Sequence, residues 1–224
     1  VPFSNLAARA RAGVDLRDMG TGTVSGTALY SVAGFGPLAV AGVCDVAKGA
    51  VGPLLAGRSR PGLAALALGA GVAGHNWSPW LRGAGGRGIS PALGGLAVAN
   101  WPGTVTLAAG LAAGRLARAT GLGSFLADVA LVPVLARSRG RPGALAGLAV
   151  VGPLLAKRVV GNRAPQRASA RVYGHRLVYD RDPAPAPAAV GPAVPPAVGA
   201  ASPAAVGPTA SPSTGSAPPA EPSS

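Results

Sequence analysis

From Pro61 to Leu81, and again from Gly88 to Gly114, the chain carries no charged side chain. A third uncharged run extends from Met19 to Cys44. Each is close to the roughly 20 residues that a helix needs to cross the hydrocarbon core of a bilayer. In lipid a backbone must satisfy its own hydrogen bonds, so such runs are restricted to helices or a closed barrel. Their length fits helices, and the chain as a whole reads as an all-α polytopic membrane protein.

Composition agrees. The sequence is 49% hydrophobic and 12% charged, with a mean hydropathy of +0.38, whereas soluble chains carry about 25% charged residues. Seven acids among 224 residues cannot clothe a soluble surface of this size. The net charge of +13 does not indicate nucleic acid, because the basic residues punctuate apolar runs instead of clustering on one polar face. Loop charges of membrane proteins are placed in that way. The single cysteine, Cys44, allows no disulfide framework. The chain begins at Val1 with no signal peptide pattern, and residues 1–8 read as the end of a helix that starts further upstream.

The helices read as follows. One runs from Ala28 toward Leu55, interrupted by Asp45 and Lys48, three residues apart and so on one face. Two opposite charges there are expected to pair. A short helix spans Leu63 to Gly74. Ile89 to Asn100 and Thr104 to Leu116 are divided at Trp101-Pro102-Gly103. Leu122 to Ala136, carrying Asp128 without an evident partner, and Gly143 to Leu155 complete the set. Residues 164–182 form a basic juxtamembrane segment, expected as a solvated stub at anionic headgroups. Residues 183–224 are Pro-, Ala- and Ser-rich and are expected to be a disordered tail. The membrane domain is therefore 1–163.

Alternate assignment of the loops puts Arg58, Arg60, Arg137, Arg139 and Arg141 on one side, and the larger basic set, including Arg82, Arg87, Lys157 and Arg158, on the other. By the positive-inside rule the larger set is cytoplasmic. Two polar corners share that side. One is Asp15 to Thr23; the other is Gly74 to Gly88, with His75, Trp77, Trp80, Arg82 and Arg87. In the second, Gly85-Gly86-Arg87-Gly88 precedes an apolar helix. Glycines let successive N–H groups turn toward one point as an anion nest, and a helix N-terminus adds partial positive charge. Arg87 adds a fork suited to phosphate. A flexible loop is the competing reading. His75 is either a functional ionisable group or a packed imidazole bonded to a carbonyl. Trp77 and Trp80 read as interfacial anchors. The scattered His, Cys and acidic residues make no metal site, and no cofactor is expected. A transporter is disfavoured because both corners lie on one side instead of at the midplane.

Together the two corners resemble the PlsY family of membrane acyl-phosphate:glycerol-3-phosphate acyltransferases. Asp15-Leu16-Arg17-x-x-Gly20-Thr21-Gly22, then Thr27, Gly34 and Asp45-Val46-Ala47-Lys48-Gly49, are similar to its first motif region. Gly74-His75-x-Trp77 followed by Gly85-Gly86-Arg87-Gly88 is similar to its second, which ends in Lys-Gly-Gly-Lys-Gly. The resemblance covers Val1 to Leu155. It implies a seven-helix fold, here with most of the first helix missing, in the bacterial plasma membrane. It also implies acyl transfer from acyl phosphate to the sn-1 hydroxyl of glycerol 3-phosphate, the first acylation of phospholipid synthesis, without metal. Membrane lipids are the remaining partners. By this resemblance Thr21 and His75 are the catalytic candidates, and Gly85, Gly86, Arg87 and Gly88 the substrate-binding ones.

This sequence departs from the family at several positions. Thr21 stands for a serine and Thr23 for an asparagine. Ala28 and Ser31 replace an asparagine and an arginine, and Ala84 replaces the first lysine of the second motif. A third motif falls near Lys157-Arg158-Val159-Val160, with Pro153 and Leu155 in place of its His and Asn. These losses support an alternative, a catalytically degenerate relative acting as a membrane scaffold for lipid or protein.

Overall fold

The uncharged runs fold as helices. The computed structural model describes residues 1–19 and 22–184. Among these there are eight α-helices and no strand: α1 (Phe3–Ala12), α2 (Gly26–Ala33), α3 (Phe35–Ala56), α4 (Pro61–Asn76), α5 (Ile89–Ala99), α6 (Trp101–Leu116), α7 (Thr120–Val160) and α8 (Ala170–Tyr179). Single 3₁₀ turns at Leu16–Asp18 and Pro79–Leu81 lie in the two polar corners.

Helix boundaries follow local chemistry. Ser25 caps α2, its Oγ accepting from the Ala28 N–H at 3.2 Å. Gly34, at φ 76°, ends α2 and restarts the chain as α3. Sequence pattern alone reads these two as one helix from Ala28 toward Leu55. Pro61 opens α4 and Pro102 lies in the first turn of α6, where a missing N–H costs nothing. A division is present but falls earlier than expected: Asn100 is the non-helical joint, and Trp101, Pro102 and Gly103 open α6. Residues 120–160 are helical on both sides of a break at Arg139 and Gly140, whose φ of 59° suits glycine. The break falls between the two helices expected there.

The 22 residues of α3 rise about 33 Å, enough for a bilayer core, while the 16 of α4 and of α6 rise only about 24 Å and the 11 of α5 about 17 Å. α3 and α7 meet the length and apolarity of membrane spans. Large apolar side chains face outward along the bundle: Phe35, Val43, Leu55, Leu66, Val105, Leu126 and Leu148 are all exposed. A soluble monomer does not leave so much apolar surface bare.

Inside, Leu68, Val72, Leu96, Leu107, Leu131, Leu135, Val150 and Leu154 pack as one cluster shared by α4 to α7. Among apolar tails this packing gains nothing from water exclusion, so close approach of helices has to hold it. Small residues supply that approach. A Cβ on Gly94 would fall 1.9 Å from the Val46 carbonyl oxygen, so α3 and α5 touch backbone to backbone. Gly110 and Gly123 do the same for α6 and α7. A smaller cluster, Ala8, Leu16, Leu29, Ala41 and Leu81, seats α1 and α2 beside α3.

The helix ends sort to two poles. Arg58, Pro61, Asn100, Arg139 and Pro142 line one cavity. The polar corners meet at the opposite pole.

Candidate functional site

The two corners are joined directly. The Val24 N–H donates to the Gly85 carbonyl at 3.3 Å. Asn162, just past α7, donates from one Nδ2 to the carbonyls of Gly22 (2.8 Å) and Gly85 (2.9 Å), while its Oδ1 accepts from Lys157. Lys157 also donates to the Gly83 carbonyl at 3.3 Å and lies over the Trp77 ring at 5.4 Å. The end of α7 therefore ties both corners together, which the sequence reading did not anticipate. Trp77 is half-buried by this contact, whereas Trp80 is exposed as an interfacial anchor would be.

Two N–H groups of the glycine loop are engaged by the end of α4. The Gly85 N–H donates to the Asn76 carbonyl (3.1 Å) and the Gly86 N–H to the His75 carbonyl (3.2 Å). These donors cap the last turn of α4 and do not converge on an open point. The glycines serve close approach instead. A Cβ at Gly86 would lie 2.3 Å from His75 Nε2, and one at Gly85 would lie 1.9 Å from the His75 carbonyl oxygen. Asn76, buried beneath, donates to the Pro153 carbonyl at 2.8 Å and fixes α4 to α7.

A cavity of about 470 Å³ opens at this pole. It is lined by Thr23 to Thr27, His75, Arg87, Gly88, Ser124, Arg158 and Asp180, with Leu38, Ile89 and Leu111 as an apolar wall. A second cavity of about 220 Å³, lined by Lys48, Gly85 and Gly86, shares His75 and Asp45 with it. The fold thus gathers His75, Arg87 and Gly88 in one space, with Gly85 and Gly86 behind the imidazole. Thr21 lies outside the described residues; its neighbours Thr23 to Thr27 form the facing wall.

His75 stands in the last turn of α4, its Nδ1 3.8 Å from the Asp45 carboxylate. Asp45 pairs with Lys48 at 2.5 Å, as their spacing predicts. Arg158, which was not among the candidates, occupies the cavity's other flank. Its Nη1 donates to the carbonyls of Gly121 (3.1 Å) and Leu177 (3.3 Å), and its Nη2 to Ser124 Oγ. Its Nε lies 3.2 Å from Asp128, which therefore does have a partner.

Arg87 pairs through Nη1 with the Asp180 carboxylate, and its Nη2 donates to the Asp180 carbonyl at 3.2 Å. Burial lowers the Arg87 guanidinium and raises the Asp180 carboxyl, and each offsets part of the other's shift. Arginine remains charged regardless. Asp180 belongs to a segment expected to be a solvated stub. That expectation is corrected: α8 folds back on the bundle, and Arg176 is buried against the Val160 and Arg163 carbonyls. Among the described residues no cluster of His, Cys and acids has the form of a metal site.

Comparison with known proteins follows the same lines. A family model described as glycerol-3-phosphate acyltransferase matches residues 1–162. The glycerol-3-phosphate acyltransferase of Synechococcus sp. (strain CC9902) is 35% identical over 158 residues, 69% of this chain and 78% of its own. That of a Thermus thermophilus strain is 37% identical over 150 residues, 63% of this chain and 72% of its own. Among solved structures, PlsY, an integral membrane glycerol 3-phosphate acyltransferase in its glycerol 3-phosphate form, has a similar fold. Its TM-score is 0.62 at 20% identity, over 73% of this chain and 87% of that one.

Proposed function

The chain belongs to the glycerol-3-phosphate acyltransferase family, and from that premise we propose that it acylates glycerol 3-phosphate with acyl phosphate as donor. The observation that carries this reading is one cavity lined by Arg87, Arg158 and His75 at the polar pole of an apolar bundle. Both substrates bring a phosphate and one brings an acyl chain. Two guanidiniums suit the first, and the wall of Leu38, Ile89 and Leu111 suits the second.

The chemistry needs only positioning and charge. The acceptor hydroxyl oxygen attacks the acyl carbonyl carbon and forms the ester C–O bond. The bond from that carbon to the phosphate oxygen breaks, and inorganic phosphate leaves with the electron pair. The hydroxyl proton passes to the departing phosphate, which leaves as hydrogen phosphate, and no acyl-enzyme forms. His75, held between Asp45 and Gly86, orients the hydroxyl or the carbonyl, a role the family resemblance also assigns to Thr21. Arg87 and Arg158 neutralise charge on the phosphates as it grows on the leaving group.

The polar pole faces the cytoplasm of the plasma membrane, by the balance of arginines. α4 and α6 are shorter than a bilayer core, and the Leu38, Ile89 and Leu111 wall offers an acyl chain an apolar surface inside the cavity. The family match and the assembled cavity favour a transferase over a scaffold. Membranes containing the chain, given an acyl phosphate and glycerol 3-phosphate, should form the mono-acylated product and phosphate. Absence of product, where a standard family member works, would remove this reading.

A further inference from the structure

The family match ends at residue 162, yet the chain continues into the site. α8 packs against α7, and Asp180, just past its end, lines the cavity. The helix's Leu177 carbonyl accepts from Arg158 at 3.3 Å. Its last residue, Tyr179, presses so closely on Gly121 that a Cβ there would fall 2.3 Å from the Tyr179 carbonyl oxygen. The helix then ends in a left-handed turn at Asp180, φ 60°, whose N–H closes on the Arg176 carbonyl at 2.8 Å. A non-glycine residue in that conformation is uncommon, and here it aims the carboxylate inward. Arg176 clamps the next acid, Asp182, with a 3.0 Å contact from Nη2, and donates to the Arg163 carbonyl at 3.2 Å. The turn is thus held at both ends.

Asp180 lands on Arg87. Both Nη atoms of the fork are engaged by this one residue, and both side chains are largely withdrawn from solvent, 17% and 25% exposed. Asp180 thus takes the Nη1–Nη2 edge of the guanidinium and leaves only Nε outside the pair. A substrate phosphate and the Asp180 carboxylate are alternative partners of the same fork.

We propose that Asp180 is an affinity-determining residue of this transferase: its carboxylate holds Arg87 while the site is empty and must withdraw before a substrate phosphate can pair there. The inference rests on Arg87 being a phosphate-binding residue, as proposed above. Its consequence is quantitative. If only the withdrawn state binds, the apparent affinity falls by the fraction of molecules in that state. α8 is then a strap that sets how much substrate is needed, without touching the reacting atoms.

The test uses the full chain in membranes and reads KM for glycerol 3-phosphate together with inhibition by inorganic phosphate. Asp180→Asn removes the competing charge, and a strap that is closed nine-tenths of the time predicts a fall of about tenfold in both KM and the phosphate inhibition constant. Asp180→Glu restores the charge and should restore the parent values. Arg176→Gln loosens the strap's anchor without touching Arg87 and should shift KM in the same direction as Asp180→Asn, so the outcome does not depend on one variant folding. Unchanged or raised KM in both loosened variants would overturn the proposal. Arg87→Ala separates the two layers. If it raises KM while Asp180→Asn changes nothing, the phosphate site stands and the strap fails. If Arg87→Ala also leaves KM unchanged, both fail.

Discussion

Arg158 Nε lies 3.2 Å from the Asp128 carboxylate, with 4% of one side chain and none of the other exposed. The pair joins the two halves of α7 across its break and sets Arg158 at the flank of the cavity. Removing one partner leaves the other charged and buried, which costs about 3–5 kcal/mol in folded proteins. Asp128→Ala should therefore lower the thermal midpoint sharply in detergent and lose activity with it. Asp128→Ala paired with Arg158→Met should recover part of the midpoint while activity stays lost. A single variant as stable as the parent would mean the pair contributes nothing.

Gly86 tests whether the glycine loop serves approach or anion binding. A Cβ there would meet His75 Nε2 at 2.3 Å and the Val24 carbonyl oxygen at 2.7 Å. Gly86→Ala must push the imidazole aside, and a displacement near 1 Å costs roughly a hundredfold in rate. The expected result is a large loss in kcat with a folded protein. If kcat were kept while KM alone rose, an anion-binding loop would be the better description.

Asn162 bridges Gly22 and Gly85 with bonds of 2.8 and 2.9 Å. Each such bond contributes about 0.5–1.5 kcal/mol net. Asn162→Ala should loosen both corners together, visible as faster amide exchange at Val24, whose N–H is bonded to the Gly85 carbonyl. Equal exchange in parent and variant would show that the corners do not depend on this residue.

Asp15 carries a pH dependence with a definite sign. The Arg17 side chain, then the Arg17 N–H and Arg9, hold its carboxyl well below the usual carboxylate range. A depressed folded pKa contributes stability above the unfolded value, near 4 for Asp, and loses it as pH falls through the lower folded value. The difference in thermal midpoint between parent and Asp15→Asn should be full at pH 6 and shrink on acidification below 4. A difference that grew on acidification would contradict the assignment.

Much of this architecture is written in local chemistry. The Asp45–Lys48 pair follows from a three-residue spacing, and the joint before Trp101 follows from Pro102 and Gly103. The break at Gly34 was not legible, because one glycine among 35 carries no mark of the φ it adopts. The fate of the Gly85 and Gly86 N–H groups was not legible either. It depends on the carbonyls at the end of α4, and a local pattern of glycines fits an open nest equally well. Asp128 finds its partner 30 positions later in the chain, across a helix break. Arg158 was visible as part of a motif region, yet its place in the cavity depends on how α7 packs. Asp180 gave no signal at all: a basic, partly polar segment reads as a solvated stub until its one inward carboxylate is seen on Arg87.

The most direct test of the proposed function is the initial rate of glycerol 3-phosphate acylation from acyl phosphate, comparing parent, Arg87→Ala and Arg87→Lys in the same membranes. Removing one preorganised charge-stabilising group costs on the order of a hundred- to a thousandfold in rate. The account predicts a loss of that size in Arg87→Ala, with partial recovery in Arg87→Lys. An Arg87→Ala variant that turns over at the parent rate would contradict it.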